Sequence, residues 1–190
     1  MGDTFSFLQE PSWVVAPRLL GSELVREIDG HKIVGRIVET EAYDQKDAAS
    51  HSYRGITRRN EVMFGAPGCA YVYFTYGMYY CLNVVTGPSG YGSAVLIRAI
   101  EPLEGVGIIQ VHRPKITNIH QLTNGPAKLC QALVVDLDFN GHYLTEPPLQ
   151  LAIRPPLDKK FIKQTTRIGI TRDTHRLWRF FVEQNPFVSC

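Results

Sequence analysis

The sequence lacks the signatures of several common chemistries. It has no G-x-G-x-x-G, no Walker loop, no H-E-x-x-H and no G-x-S-x-G. That argues against a dinucleotide, nucleoside triphosphate, zinc-protease or α/β-hydrolase site. Its four cysteines, Cys69, Cys81, Cys130 and Cys190, lie far apart, without a C-x-x-C pair or a near histidine. Reduced thiols rather than a zinc site are expected. No uncharged apolar stretch approaches the roughly 18 residues that span a bilayer, so no membrane association is expected. The opening Met1-Gly2-Asp3-Thr4 has neither a basic run nor an apolar h-region. A secretory signal is therefore not expected, and a cytoplasmic protein is, nucleoid-associated if bacterial. Internal repeats and low-complexity linkers are also missing.

What is present is an ordinary globular composition: 190 residues, 44% hydrophobic and 20% charged. This length and apolar content favour one domain over residues 1–190, with residues 1–10 as a loose leading segment, and exclude disorder for most of the chain. The net charge of +2 hides an asymmetry. Residues 1–153 carry 12 Lys and Arg against 15 Asp and Glu, while residues 154–190 carry 8 against 3. The tail cations run from Arg154 to Arg179, and a second basic knot, Arg54, Arg58 and Arg59, follows His51. Two such clusters suit a polyanion. On charge alone, a solvated face balancing the acidic first part is favoured, because +2 is far from strongly basic.

Strand signals dominate. Pro11 to Leu20 predicts a short helix with Ser12 as N-cap and Gly21 as stop. Ser22–Ile28 and Lys32–Thr40 predict strands joined by Asp29-Gly30, a strong hairpin signal. The run YVYFTYGMYYCLNVV (71–85) holds five of the nine tyrosines and is broken by Gly77, which predicts a hairpin turning near Tyr76-Gly77-Met78. Ser93–Ile100 predicts a buried strand, and Pro126–Val134 a helix capped at Asn124 or Gly125. Arg167–Thr171 and Leu177–Val182 predict closing strands. The fold class expected is α+β: a single mixed domain with a mainly antiparallel sheet and short peripheral helices.

Three groups of residues invite chemistry. Glu39 and Glu41 share a strand face by the period of 2, in the apolar setting GRIVETEAY. Two such carboxylates suit a glycosidase-type acid and base, and a carboxylate near packed walls needs a partner, a ligand or a shifted pKa. Arg98 lies inside the apolar run AVLIRAI and must be paired, with Glu41 and Glu101 as candidates. Strand aromatics are usually packing, which accounts for Tyr71, Tyr79 and Tyr80. It accounts poorly for Tyr76 at a hairpin tip, where an exposed ring suits a wedge into a base stack. His51 with its three arginines suits a phosphate grip, although lone histidines are more often structural.

GRIVETEAY (35–43), AASHS (48–52), RRNEVMF (58–64), YVYFTYGMYYCLNVV (71–85), AVLIRAIEPLEG (94–105), TNGPAKLCQAL (123–133) and RIGIT (167–171) together resemble the alkyladenine, or 3-methyladenine, DNA glycosylase family. The resemblance is collinear from about Trp13 to Ser189 and is to compact bacterial-type members, without the extended N-terminal tail. It implies a curved antiparallel sheet with a protruding β-hairpin. It also implies monofunctional hydrolysis of the N-glycosidic bond of alkylated purines in double-stranded DNA during base-excision repair. The substrates implied are 3-methyladenine and 7-methylguanine, with hypoxanthine and ethenoadenine as further possibilities.

By the same resemblance Glu41 corresponds to the general base that activates water. Arg98 helps hold that water, and the Ile168 carbonyl is its third contact. Tyr43, His51 and Tyr73 correspond to walls around the flipped base, and Asn83 to the asparagine that screens out normal guanine. Tyr76 corresponds to the wedge, Met78 and Tyr79 to neighbouring minor-groove contacts, and Arg59 to a phosphate contact. No metal or other cofactor is implied, no lysine is placed for a Schiff base, and a monomer is expected. The loop between Tyr43 and His51 is one residue shorter than in the vertebrate form, and residues 158–166 carry no assigned role. Two rival readings use the same residues: a non-catalytic DNA-binding module, and a nucleoside or glycoside hydrolase using Glu39 and Glu41.

Overall fold

The computed structural model describes residues 5–75 and 77–189. Among them, three α-helices and eight strands build an α+β fold around one antiparallel sheet. The element that organises it is β2 (His31–Asp44), longer than the Lys32–Thr40 predicted. It pairs with β1 (Glu23–Ile28) through Asp29-Gly30. Both turn residues sit in the left-handed region (φ +49° and +77°), as a type I′ turn requires.

One edge of β2 pairs with β5 (Ser93–Glu104) for most of its length. The other edge takes β1 as far as Arg36, then β8 (Arg179–Val182) from Glu39 to Glu41. Along the β2–β5 ladder the register slips three times, once between Val34 and Gly35 and then twice in close succession. Ile37 faces Ile100 and Glu39 faces Ala99, leaving Val38 extra; Thr40 then faces Ile97, leaving Arg98 extra on β5. A bulge re-aims the unpaired side chain and bends the strand. This double bulge turns Arg98 toward Glu39 and Glu41.

β3 (Ala70–Thr75) and β4 (Tyr79–Val85) form the predicted hairpin. Only Asn83, Val84 and Val85 of β4 pair with β5, and toward the turn Phe74 and Met78 are exposed. Tyr76 lies outside the described residues. At the far edge, β6 (Leu149–Ala152) pairs with β1, and β7 (Ile162–Thr165) pairs with β8.

Two helices close the core from below. The buried face of α1 (Ser12–Leu19), Val15, Ala16 and Leu19, follows helical spacing. With Leu129, Cys130, Ala132 and Leu133 of α3 (Pro126–Leu133) it joins Leu24, Ile37, Leu82 and Ile97 in one core. A short α2 (Val106–His112) starts from Gly105 at φ +80°, where an added Cβ would sit 2.7 Å from the Lys32 carbonyl oxygen.

Several expectations need correction. Ser12 is not the N-cap of α1: Pro11 occupies that position, its carbonyl accepting from Val14 and Val15, and the Ser12 hydroxyl is buried without a partner among the described residues. Residues 167–171 are not a strand, because Arg167 turns inward to an ion pair with Asp47 and Gly169 adopts φ +76°. The closing strand before them is β7, in the stretch left without a role. In the described part of the first ten residues, Ser6–Gln9 form a 3-10 turn and Leu8 is fully buried. Cys69, Cys81 and Cys130 are buried free thiols, and Cys190 lies outside the described residues. Among the described residues no helix is long and apolar enough to cross a membrane.

Candidate active site

A cavity of about 370 Å³ opens where β3, β4, β5 and the 167–170 loop meet. Its walls are aromatic and its floor is charged. Tyr43 at the end of β2, Tyr71 and Tyr73 on one face of β3, and His51 from the preceding loop form the walls. The His51 ring stands edge-on to Tyr73 at 4.5 Å between centroids, and its Nδ1 lies 2.9 Å from the Tyr71 hydroxyl. Tyr71, expected as packing alone, is therefore a wall residue that also orients His51. Its alternation with Tyr73 was the signal available in the sequence.

Burial pushes the Tyr71 phenol up to about 12 and raises Tyr73 further. Both therefore stay neutral hydrogen-bond donors at physiological pH. The His51 imidazole is pushed below its usual value, first by burial of its ring and then by the Arg59 charge. Asn83 on β4 donates through Nδ2 to the Tyr71 carbonyl at 3.0 Å, with the Cys81 carbonyl at 3.5 Å. Two carbonyls around that nitrogen fix the amide orientation and leave Oδ1 as the acceptor for the cavity.

The Glu41 carboxylate lies fully buried directly behind this lining. Three donors from three segments hold it: the Ile168 N–H at 2.7 Å to Oε1, the Tyr43 hydroxyl at 2.9 Å and Arg98 Nη1 at 3.2 Å to Oε2. Burial works against the Arg98 charge, but Glu41 and then Glu39 outweigh it and raise its pKa. Tyr43 is held well above its ordinary range, first by burial and then by the Glu41 charge, so it remains a donor. The Ile168 contact seen here is its N–H.

Glu39 is different. Its two oxygens accept from Arg98 Nε (2.9 Å), Arg179 Nε (2.7 Å), the Ser189 N–H (2.7 Å) and the Ser189 hydroxyl (2.8 Å). Three of these donors meet Oε1 and one meets Oε2, and they hold Glu39 outside the cavity lining, so the two glutamates do not face each other across the cavity. Glu101, the other candidate partner for Arg98, instead accepts from Arg36 at 2.7 Å. Arg167, fully buried, grips Asp47 with both terminal nitrogens and donates to the Ala42 carbonyl. That clamp places the next residue, Ile168, against Glu41. The Asp47–Arg167 pair, Glu39 as a holder and Ser189 were all missed from sequence; each links residues far apart in the chain and left no local signal.

Around the cavity mouth, Arg59 donates to the Phe74 carbonyl at 3.0 Å from an exposed position. Met78 is exposed and Tyr79 half-buried beside the hairpin turn. Much of the basic tail is spent internally, in the pairs Arg154–Glu23, Lys160–Asp158, Lys163–Glu183, Arg176–Asp173 and Arg179–Glu39. Of these, Arg154–Glu23 and Arg179–Glu39 reach the acidic first part of the chain, and the other three close within the tail. The 51–59 loop remains an exposed basic surface, with Arg54, Arg58 and Arg59 all open to solvent.

Comparison with known proteins gives the family of the chain. The family model described as "Methylpurine-DNA glycosylase (MPG)" matches residues 6–186. The chain is 52% identical over 177 residues to the "Putative 3-methyladenine DNA glycosylase" of Carboxydothermus hydrogenoformans, covering 93% of this chain and 92% of that protein. Proteins of the same name from Nitrosospira multiformis and Methanoculleus marisnigri are each 46% identical, over 92% and 97% of this chain and 87% and 96% of theirs. A match this nearly end to end settles the relationship: the chain belongs to the methylpurine-DNA glycosylase family.

Proposed function

We propose that this chain releases alkylated purines, such as 3-methyladenine and 7-methylguanine, from double-stranded DNA by hydrolysing the N-glycosidic bond with water activated at Glu41. The observation that carries this reading is the Glu41 carboxylate, held by three donors behind an aromatic cavity of about 370 Å³. That volume falls in the range of small-molecule sites, roughly 300–1,000 Å³. An ionised carboxylate offers about four lone-pair sites; three are taken, and one is left for a water molecule.

A base inside a duplex must rotate out before water reaches its sugar carbon, at a cost of about a few kcal/mol, less at a damaged pair. Tyr76, outside the described residues, is assigned by resemblance to fill the gap, with Met78 and Tyr79 in the minor groove beside it and Arg59 on a phosphate. The everted base stacks among Tyr43, Tyr73 and His51. Alkylation at N3 or N7 makes the purine cationic, and desolvated aromatic faces attract such a cation by about 2 kcal/mol. A neutral His51 adds no opposing charge. Asn83 presents an acceptor oxygen and crowds the exocyclic amine of normal guanine.

The water oxygen then bonds to the sugar carbon as the carbon–nitrogen bond breaks. The bonding pair leaves with the base, neutralising its charge, and the water proton passes to Glu41. The carboxylate also favours the oxocarbenium-like transition state. Base release from duplexes carrying 7-methylguanine or 3-methyladenine, beside the matching free nucleosides, tests the reading. Release from duplex DNA alone is expected. Turnover of free nucleosides at equal rates would point instead to a nucleoside hydrolase, and lesion binding without release to a binding module.

A further inference from the structure

Arg98 meets three acceptors in three directions. Its Nε donates to Glu39, its Nη1 to Glu41 and its Nη2 to the Ser189 hydroxyl at 3.2 Å. Ser189 in turn donates to Glu39 through both its N–H and its hydroxyl. The segment carrying Ser189 is pinned by a small apolar cluster of Val38, Ala99 and Phe187, with Val182 and Val188 against it. Val38 is the extra β2 residue of the double bulge that frees Arg98 from the ladder, and Ala99 lies between its two slips. Arg179, opposite Glu41 in the β2–β8 register, closes the set by donating to Glu39 and to the Ser189 carbonyl at 3.0 Å. Backbone irregularity, apolar anchor and polar network thus converge on one guanidinium.

We propose that Glu39 and Ser189 are positioning residues that restrict Arg98 to a single hydrogen bond on Glu41, so that one carboxylate lone pair stays free for the attacking water. A guanidinium left alone with a carboxylate turns two nitrogens onto its two oxygens, the preferred fork geometry. At Glu41 that arrangement would occupy the remaining lone pair. Glu39 prevents it by holding Nε, and Ser189 by holding Nη2. This gives the second buried glutamate a task that needs no contact with DNA. The inference rests on the proposed role of Glu41.

The test is single-turnover base release with saturating enzyme, which is insensitive to the fraction folded, measured beside Kd for duplex carrying an uncleavable lesion analogue. Glu39→Gln is expected to slow release by about 10–100-fold and to leave Kd within about threefold. Ser189→Ala, which removes one hydroxyl, is expected to slow release by about 3–10-fold, with Ser189→Thr restoring it. In an Arg98→Ala background, Ser189→Ala is expected to cost nothing further, because coupled residues are non-additive. Should Glu39→Gln not fold, the Ser189 series and this cycle decide alone. Unchanged release in Ser189→Ala, or the same loss with and without Arg98, would overturn the proposal. An inert wild type would instead overturn the proposed function, and the proposal with it.

Discussion

At the residue scale, His51 is the most informative side chain after Glu41. It lies between Tyr71, which it meets through Nδ1, and Tyr73, which it meets edge-on. Burial first, and Arg59 second, lower its pKa. Its NMR titration midpoint is therefore expected below the ordinary value of about 6.5. Arg59→Ala should raise that midpoint only part of the way, since burial is the larger cause. The sign for stability follows from proton binding: the folded state binds fewer protons than the unfolded state in this window. The contribution of His51 is then present above about pH 6.5 and lost as pH falls through its folded midpoint. A midpoint above the ordinary value would contradict this description of the site. The resemblance made most of the contacting residues legible, because Glu41, Tyr43, His51, Tyr73 and Asn83 stand in the short runs that carry it; Tyr71, read as packing, was not among them. Their holders were illegible. Ser189 reaches Glu39 from 150 positions away, and no local pattern announces such a partner.

At the element scale, the strands expected from alternation and turn chemistry match the structure, from the Asp29-Gly30 hairpin to β3–β4 and β5. The one that fails, 167–171, fails because its alternating residues serve a clamp rather than a ladder. Asp47 and Arg167 are both fully buried and paired, and Arg167 also lies 4.7 Å from the Tyr43 ring centre. Removing the carboxylate alone leaves a buried cation, a change that costs about 3–5 kcal/mol. Asp47→Ala should lose about that much in urea unfolding. It should also slow base release, because the Ile168 N–H is no longer held against Glu41. A loss under about 1 kcal/mol would show the pair to be dispensable. The double bulge was equally invisible to sequence, since nothing in AVLIRAI marks Arg98 as the residue without a ladder partner.

Over the whole molecule, charge is organised rather than merely summed. The tail cations are largely matched to nearby carboxylates, while the loop after His51 keeps exposed arginines beside the cavity mouth. Phosphates should therefore be gripped by the loop. Replacing Arg58 or Arg59 by alanine is expected to weaken duplex binding and to reduce the slope of log K against log salt by about 0.9 for each phosphate no longer neutralised. Lys163→Gln in the tail should leave both unchanged, and an equal effect of the tail substitution would place the DNA elsewhere. On the proposed reading the hairpin, basic loop, aromatic cavity and buried carboxylate serve one substrate, and the carboxylate is the group that reading cannot lack. Single-turnover release of 7-methylguanine from duplex DNA, wild type against Glu41→Gln, tests that most directly. Binding should be retained and release should fall by about 10²–10⁴-fold; release by Glu41→Gln at the wild-type rate would contradict the account.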